Sequence, residues 1–186
     1  VDAADLAIYL PCETSDVEKN HIQVHDMGYY EKWHPQGAYY YSVEHGGFVP
    51  SPERTAGTYS KYNSIDDKVD DFFYYTTYIK YGIGRCTYDA AQEIRNHEIT
   101  RPEGVALCRK FDGEFPARFA DEFFRYISID RQHFGRAADC FEQPKMDLDY
   151  FMHLADRFRS PHLWNYKDGV WSLRHTPYEG ASLCGW

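Results

Sequence analysis

From Ser64 onward the apolar residues recur at three- and four-residue spacing, cut into segments by residues that start or stop helices, which commits this stretch to packed helices. Ser64 is the expected N-cap of the first helix. Asp66 and Asp67 fall in its opening turn, where negative charge complements the helix dipole, and Val69, Phe72, Phe73, Thr76 and Ile79 mark one face up to Gly82. A second helix is expected from Thr87 to about Asn96. Thr100 and Glu103 form a capping box around Pro102, and the helix carrying Val105, Leu107, Cys108 and Phe111 should stop at Gly113. Pro116 opens the next, with Phe119, Ala120, Phe123, Phe124 and Ile127 inward. A short helix follows from about Asp130, a break falls at Gln143-Pro144, and a helix from Asp147 should bury Leu148, Phe151, Met152, Ala155 and Phe158. Asp168-Gly169, inside Trp164 to Leu173, is the strongest hairpin signal, with Trp164 and Trp171 expected to pair across it as packing residues.

The first 63 residues read differently. Ser15 and Glu18 have capping-box spacing for a helix to about Asn20, and the apolar run from Ile22 to about Tyr30 suggests a strand. A helix-strand pair is the repeating unit of an α/β sheet, and one such unit cannot form a sheet alone. Residues 31–63 are dense in Pro and Gly and show no sustained period, so an aromatic-rich connector or site loop is expected there. The organisation expected is therefore mainly α: residues 1–30 as the end of an α/β domain, 31–63 as connector, and 64–186 as a helical domain with a terminal β-hairpin at about 164–173.

Function classes narrow through composition. Among 186 residues, 17 Tyr, 12 Phe and 4 Trp give 18% aromatic content, common both in wet cores and at sugar- or base-binding surfaces. A net charge of −9 argues against a general nucleic-acid binder, although Arg85, Arg95, Arg101, Arg109 and Lys110 cluster in one stretch. Cys12, Cys86, Cys108, Cys140 and Cys184 form no C-x-x-C pair, a pattern of reduced cytoplasmic thiols; there is no apolar run long enough to span a bilayer. His25, His34 and His45 match no zinc spacing, so no metal ligands are assigned.

The segments GYYEKWHPQGAYYYSVEHGGF, PERTAGTYSKYNSIDDKVDDFFYYTTYIKYGIGRCTYDAAQEIRN, ITRPEGVALCRKFDGEFP and FRSPHLW resemble the C-terminal half of the N-acetyl sugar amidotransferases of bacterial lipopolysaccharide (O-antigen) and flagellin sugar biosynthesis. The resemblance covers roughly Ile22 to Arg174. It implies a Rossmann-like PP-loop ATPase with an appended helical domain, of which this chain is the C-terminal portion. The family's Ser-Gly-Gly-x-Asp-Ser signature and N-terminal cysteine pairs are not in the sequence, and the chain begins at Val1. ATP and Mg²⁺ are thus implied for the full-length enzyme and not for this chain alone. The implied reaction is transferase- or ligase-like: ATP adenylates the acetamido oxygen of a nucleotide-linked sugar, and ammonia displaces AMP to leave an acetamidino group. The implied partners are that sugar and a glutaminase that delivers ammonia. The alternative is a docking or homodimerisation module without ATP chemistry.

Within this frame, Gly82-Ile83-Gly84-Arg85 followed by Thr87, Asp89, Gln92, Glu93 and Arg95 is the leading constellation. Thr87 as cap, with Arg85 adjacent, would make a helix N-terminus into an anion site. The other reading is an ion-pair network between helices. Lys61, Arg85 and Asp89 are the expected catalytic residues. Arg95, Gln92, Glu93, Tyr39, Tyr41 and Arg54 are expected to bind substrate. Tyr39 and Tyr41 would share one side of an extended segment and stack on a sugar or base. Cys86, beside Arg85, has either a lowered pKa or the character of a plain buried thiol.

Overall fold

A computed structural model describes residues 3–176, which divide into two compact units, one up to Trp33 and one from His34 onward. Cys184 lies outside the described residues.

The first unit holds α1 (Ala3–Leu6), a 3₁₀ turn (Ala7–Tyr9), α2 (Thr14–Lys19) and α3 (Met27–Tyr30). The capping box expected at Ser15 does not form: Ser15 lies inside α2, whose N-cap is Glu13 with no side-chain hydrogen bond. The strand expected over 22–30 is also replaced, by irregular chain leading into α3. A strand needs a partner to satisfy its backbone, and the described residues offer none there.

The second unit opens with α4 (Pro35–Gly46), where an irregular connector was expected. The Pro and Gly residues that suggested irregularity are its end signals: Pro35 sits in the first turn, and Gly47 closes the helix at φ 67°. On a helix Tyr39 and Tyr41 point to nearly opposite sides, so the shared face expected of an extended segment is lost. The loop that follows is tightly bonded. Ser51 N–H donates to the Lys61 carbonyl at 2.9 Å, Thr55 N–H to the Ser60 carbonyl at 3.0 Å, and the Thr55 hydroxyl to the Asn63 carbonyl at 2.9 Å. Thr55, Thr58 and Ser60 are buried as a result.

Five longer helices follow: α5 (Asp70–Tyr81), α6 (Arg85–Arg95), α7 (Arg101–Phe111), α8 (Ala120–Ile127) and, after the short α9 (Arg131–Phe134), α10 (Leu148–Phe158). The expected capping box of Thr100 and Glu103 opens α7. Ser64 does not cap α5: its φ is 53°, and Asp67 instead accepts from Val69 N–H at 2.7 Å, one turn ahead of the helix. The main core joins Phe72, Tyr75 and Ile79 of α5 to Phe124 of α8 and to Phe151 and Ala155 of α10. Phe72 is its centre, stacked on Phe123 with centroids 3.8 Å apart and met edge-on by Phe115, Phe124 and Phe151. Phe73, Thr76, Leu148 and Phe158, expected inward, are exposed. The α5 stripe is set by the 72, 75, 79 spacing, which turns Phe73 and Thr76 away. A second core packs Cys86 and Ala90 of α6 on Cys108 and Phe111 of α7.

The last regular elements among the described residues form the expected antiparallel hairpin, β1 (Trp164–Lys167) and β2 (Val170–Leu173). Asp168 and Gly169 take φ 52° and 79°, the left-handed pair a two-residue turn requires. The register pairs Trp164 with Leu173 and Tyr166 with Trp171, so the two tryptophans are not directly opposite as expected. They meet instead over Arg159, whose guanidinium lies 4.2 Å from the Trp164 ring and 5.4 Å from that of Trp171. Trp164 Nε1–H donates to the Ile79 carbonyl at 2.8 Å, which pins the hairpin to the end of α5. Among the described residues no helix is long and apolar enough to cross a membrane.

Candidate functional site

The expected constellation divides into separate environments. Arg85 and Asp89 share one face of α6 and pair at 3.2 Å, both nearly enclosed. Arg85 also donates to the Ser64 hydroxyl at 3.1 Å and lies 4.1 Å over the Tyr74 ring, while the Thr58 hydroxyl donates to Asp89 at 2.5 Å. Burial raises the Asp89 pKa, and the charge and hydrogen bonds of Arg85, with the Thr58 bond, oppose the rise. This is a network that ties the 51–64 loop to α6.

Farther along α6, Glu93 is buried, its pKa raised by desolvation, and receives the Tyr62 hydroxyl at 3.5 Å. Tyr39 stacks on Tyr62 with centroids 4.4 Å apart, so Tyr39 supports this buried acid. Burial and the neighbouring Glu93 charge push the Tyr59 and Tyr62 phenols well above their ordinary range. The Gln92 side-chain oxygen is enclosed without a hydrogen-bond donor. Arg95 and Tyr41 lie on the surface, Tyr41 packed against His45 at 4.4 Å.

The N-terminus of α6, expected as a phosphate site, is already filled by a protein anion. Gly84 is the N-cap, one turn earlier than the expected Thr87. Thr87 donates both its N–H, at 3.2 Å, and its hydroxyl to Asp112, which comes from the loop after α7. A substrate phosphate there would compete with a bonded carboxylate. Cys86, in the same turn, is fully buried against Cys108. Its thiol donates to the Cys108 sulfur, and that bond together with burial raises its pKa, the reverse of activation.

Arg54 and Lys61 border a cavity of about 560 Å³ formed by the 52–61 loop, the start of α5 and the 114–118 segment. One wall is a fork: Arg54 donates to both Glu114 oxygens at 2.6 and 2.5 Å, and Gly57 N–H adds a third bond to that carboxylate at 2.8 Å. These bonds, chiefly the one from Arg54, hold the Glu114 pKa below the usual carboxylate range. Lys61 donates to the Pro52 carbonyl at 3.1 Å and is otherwise exposed; Arg118 stands 3.7 Å from Glu53. Phe115 and Tyr59 complete an aromatic part of the lining.

Asp71 also lines the cavity, although it is not among the site residues expected from the sequence. It sits in the first turn of α5 and is 7% exposed. Burial pushes its pKa up to about 6, with Arg118 and Arg85 pulling it down and Asp70 and Glu114 pushing it further up. A signal did exist: Asp71 lies four residues before the inward Tyr75, so it shares that helix face.

The described residues hold no cluster of three His, Cys, Asp or Glu side chains that could bind a metal, and α6 offers no free phosphate cradle. What the described residues do build is a helical domain with a polar, partly aromatic cavity of small-molecule size. The family model described as LPS biosynthesis protein WbpG-like, C-terminal domain, matches residues 56–177, most of the chain. The chain belongs to this family of lipopolysaccharide biosynthesis proteins. No curated protein matches it.

Proposed function

We propose that this chain is the C-terminal part of an ATP-dependent amidotransferase that converts an acetamido group on a nucleotide-linked sugar into an acetamidino group. The observation that carries the reading is the family membership of residues 56–177 in lipopolysaccharide biosynthesis, joined to the family resemblance of the quoted motifs. An amide carbonyl is a weak electrophile with a poor leaving oxygen, so exchange of that oxygen for nitrogen needs activation. Adenylation by ATP releases pyrophosphate, ammonia adds to the carbon, and the oxygen leaves with AMP. In this reading the chain supplies the sugar side. Lys61 brings positive charge to the cavity mouth, Arg54 shapes one wall, and the Arg85–Asp89 pair holds the loop that carries both. Phosphate activation takes place outside the described residues, and ammonia comes from a glutaminase partner.

A second reading, a docking module without chemistry of its own, is favoured by one fact: the Arg85 and Asp89 side chains are engaged with each other and with Ser64 and Thr58. One experiment separates the two. The full-length protein is supplied with ATP-Mg²⁺, ammonium chloride and a UDP-linked diacetamido sugar, and AMP release and product mass are followed. AMP formed in step with an amidine supports the amidotransferase. No AMP with any acetamido nucleotide sugar leaves the docking module.

A further inference from the structure

Asp71 combines three properties rarely found together. It is buried, it borders a cavity, and no described N–H or O–H group donates a hydrogen bond to it. Its two cationic neighbours are committed elsewhere: Arg85 donates to Asp89 and Ser64, and Arg118 stands against Glu53. Arg54, on the far wall, is bound to Glu114. A carboxylate that is 7% exposed, meets water only across the cavity and has no described protein donor is costly, and a native fold that keeps one has a reason outside its own packing.

We propose that this cavity is a pyranose subsite in which Asp71 accepts hydrogen bonds from sugar hydroxyls or an acetamido N–H. Phe115 and Tyr59 offer aromatic surface to the C–H face of the ring. Lys61, with two of its three N–H donors unused, and the outer N–H groups of Arg118 meet the anionic end of the ligand. The cavity, about 560 Å³, holds a glycosyl unit and part of what is attached to it. An ammonium ion would satisfy the carboxylate but leave most of that volume unfilled. The inference rests on the nucleotide-sugar reading above and adds the residue that recognises the sugar.

The test is calorimetric titration of the full-length protein and of Asp71→Asn with UDP-N-acetylglucosamine and, separately, with UDP. The wild type should bind the sugar nucleotide about tenfold more tightly than UDP. Asp71→Asn should erase that margin, leave UDP affinity within about twofold, and keep or raise the melting temperature. No margin in the wild type, or the same margin in the variant, overturns the proposal. A fall in melting temperature overturns it too, since it would mean that Asp71 has a structural partner. Saturable binding of ammonium chloride that competes with the sugar and needs Asp71 would make the cavity a cation site instead. Turnover is read apart from binding: a lost margin without amidine formation keeps the subsite and removes the amidination reading. Amidine formation with an unchanged margin does the reverse.

Discussion

Arg54 and Glu114, sixty residues apart in sequence, face each other through two parallel hydrogen bonds of 2.6 and 2.5 Å. The same guanidinium donates to the Thr58 carbonyl at 3.1 Å and lies 4.7 Å over the Phe111 ring. One side chain thus fastens the 51–64 loop to the end of α7. Both partners are about a third exposed, so solvent screens the pair, and the fork geometry and the bonds to backbone count for more than the charge. Arg54→Met is expected to cost about 1–2 kcal/mol and Arg54→Lys nearly as much, since an ammonium cannot form the fork. A double-mutant cycle with Glu114→Gln in urea melts checks it. Additive effects would mean that the two residues are not coupled.

The pH dependence of Asp71 has an unusual sign. Its carboxyl is pushed from 3.8 up to about 6 by burial, in a field set by Asp70, Glu114, Arg118 and Arg85. A raised carboxyl pKa means that the folded state holds the proton more tightly, so this group lowers stability as pH climbs from 3.8 to 6, and its cost is complete above that window. Asp71→Asn should therefore be more stable than wild type at about pH 7.5, by about 2–3 kcal/mol, and the gain should vanish below about pH 4. Urea melts at the two pH values measure it. A variant less stable at the higher pH would show that the charged form is the favoured one.

Much of the second unit could be read from sequence because its signals are local. The Thr100–Glu103 box, the Asp168-Gly169 turn and the phenylalanines of α8 depend on residues three or four apart, and each took its expected form. Several failures concern where helices begin and end. Pro35 and Gly47 were weighed as breakers when they are the two ends of α4, and Ser15 has capping spacing but lies inside α2. The site was less legible still. Arg85 and Asp89 have the spacing of a catalytic pair and equally that of an i, i+4 ion pair, and only the Ser64 acceptor and the Thr58 donor show how they are used. Asp71 resembled any acid in a first helical turn. Its role depends on Lys61, Phe115 and Arg118 meeting around it, a long-range fact that no periodicity encodes.

A buried polar bond, from Trp164 Nε1–H to the Ile79 carbonyl at 2.8 Å, holds the hairpin to α5. Ile79 lies near the end of α5, where carbonyls lack helical partners, so this bond also caps an orphan acceptor. Trp164→Phe keeps an aromatic ring beside Tyr78 and Arg159 but removes the donor. It should cost about 1–3 kcal/mol, more than Trp171→Phe, whose Nε1–H has no partner to lose. Thermal melts of the two variants make the comparison, and equal losses would show that packing alone secures the hairpin.

Gly84 and Asp112 give the sharpest test of how α6 begins. The Gly84 backbone is ordinary, with φ −91°, so an alanine there is not strained by its own dihedrals. A Cβ at that position would instead collide with the Asp112 carboxylate, the group that accepts from Thr87 and fills the helix N-terminus. Gly84→Ala should therefore destabilise by about 2–3 kcal/mol through displacement of that carboxylate. Asp112→Ala alone should cost about 1–2 kcal/mol, as the loss of a cap does. The double variant should be less destabilised than the sum of the two, because once the carboxylate is gone the added carbon meets only the Cβ of residue 112, at 3.1 Å. Melts of all four proteins decide it: full additivity would mean that the glycine serves backbone conformation and not room for Asp112.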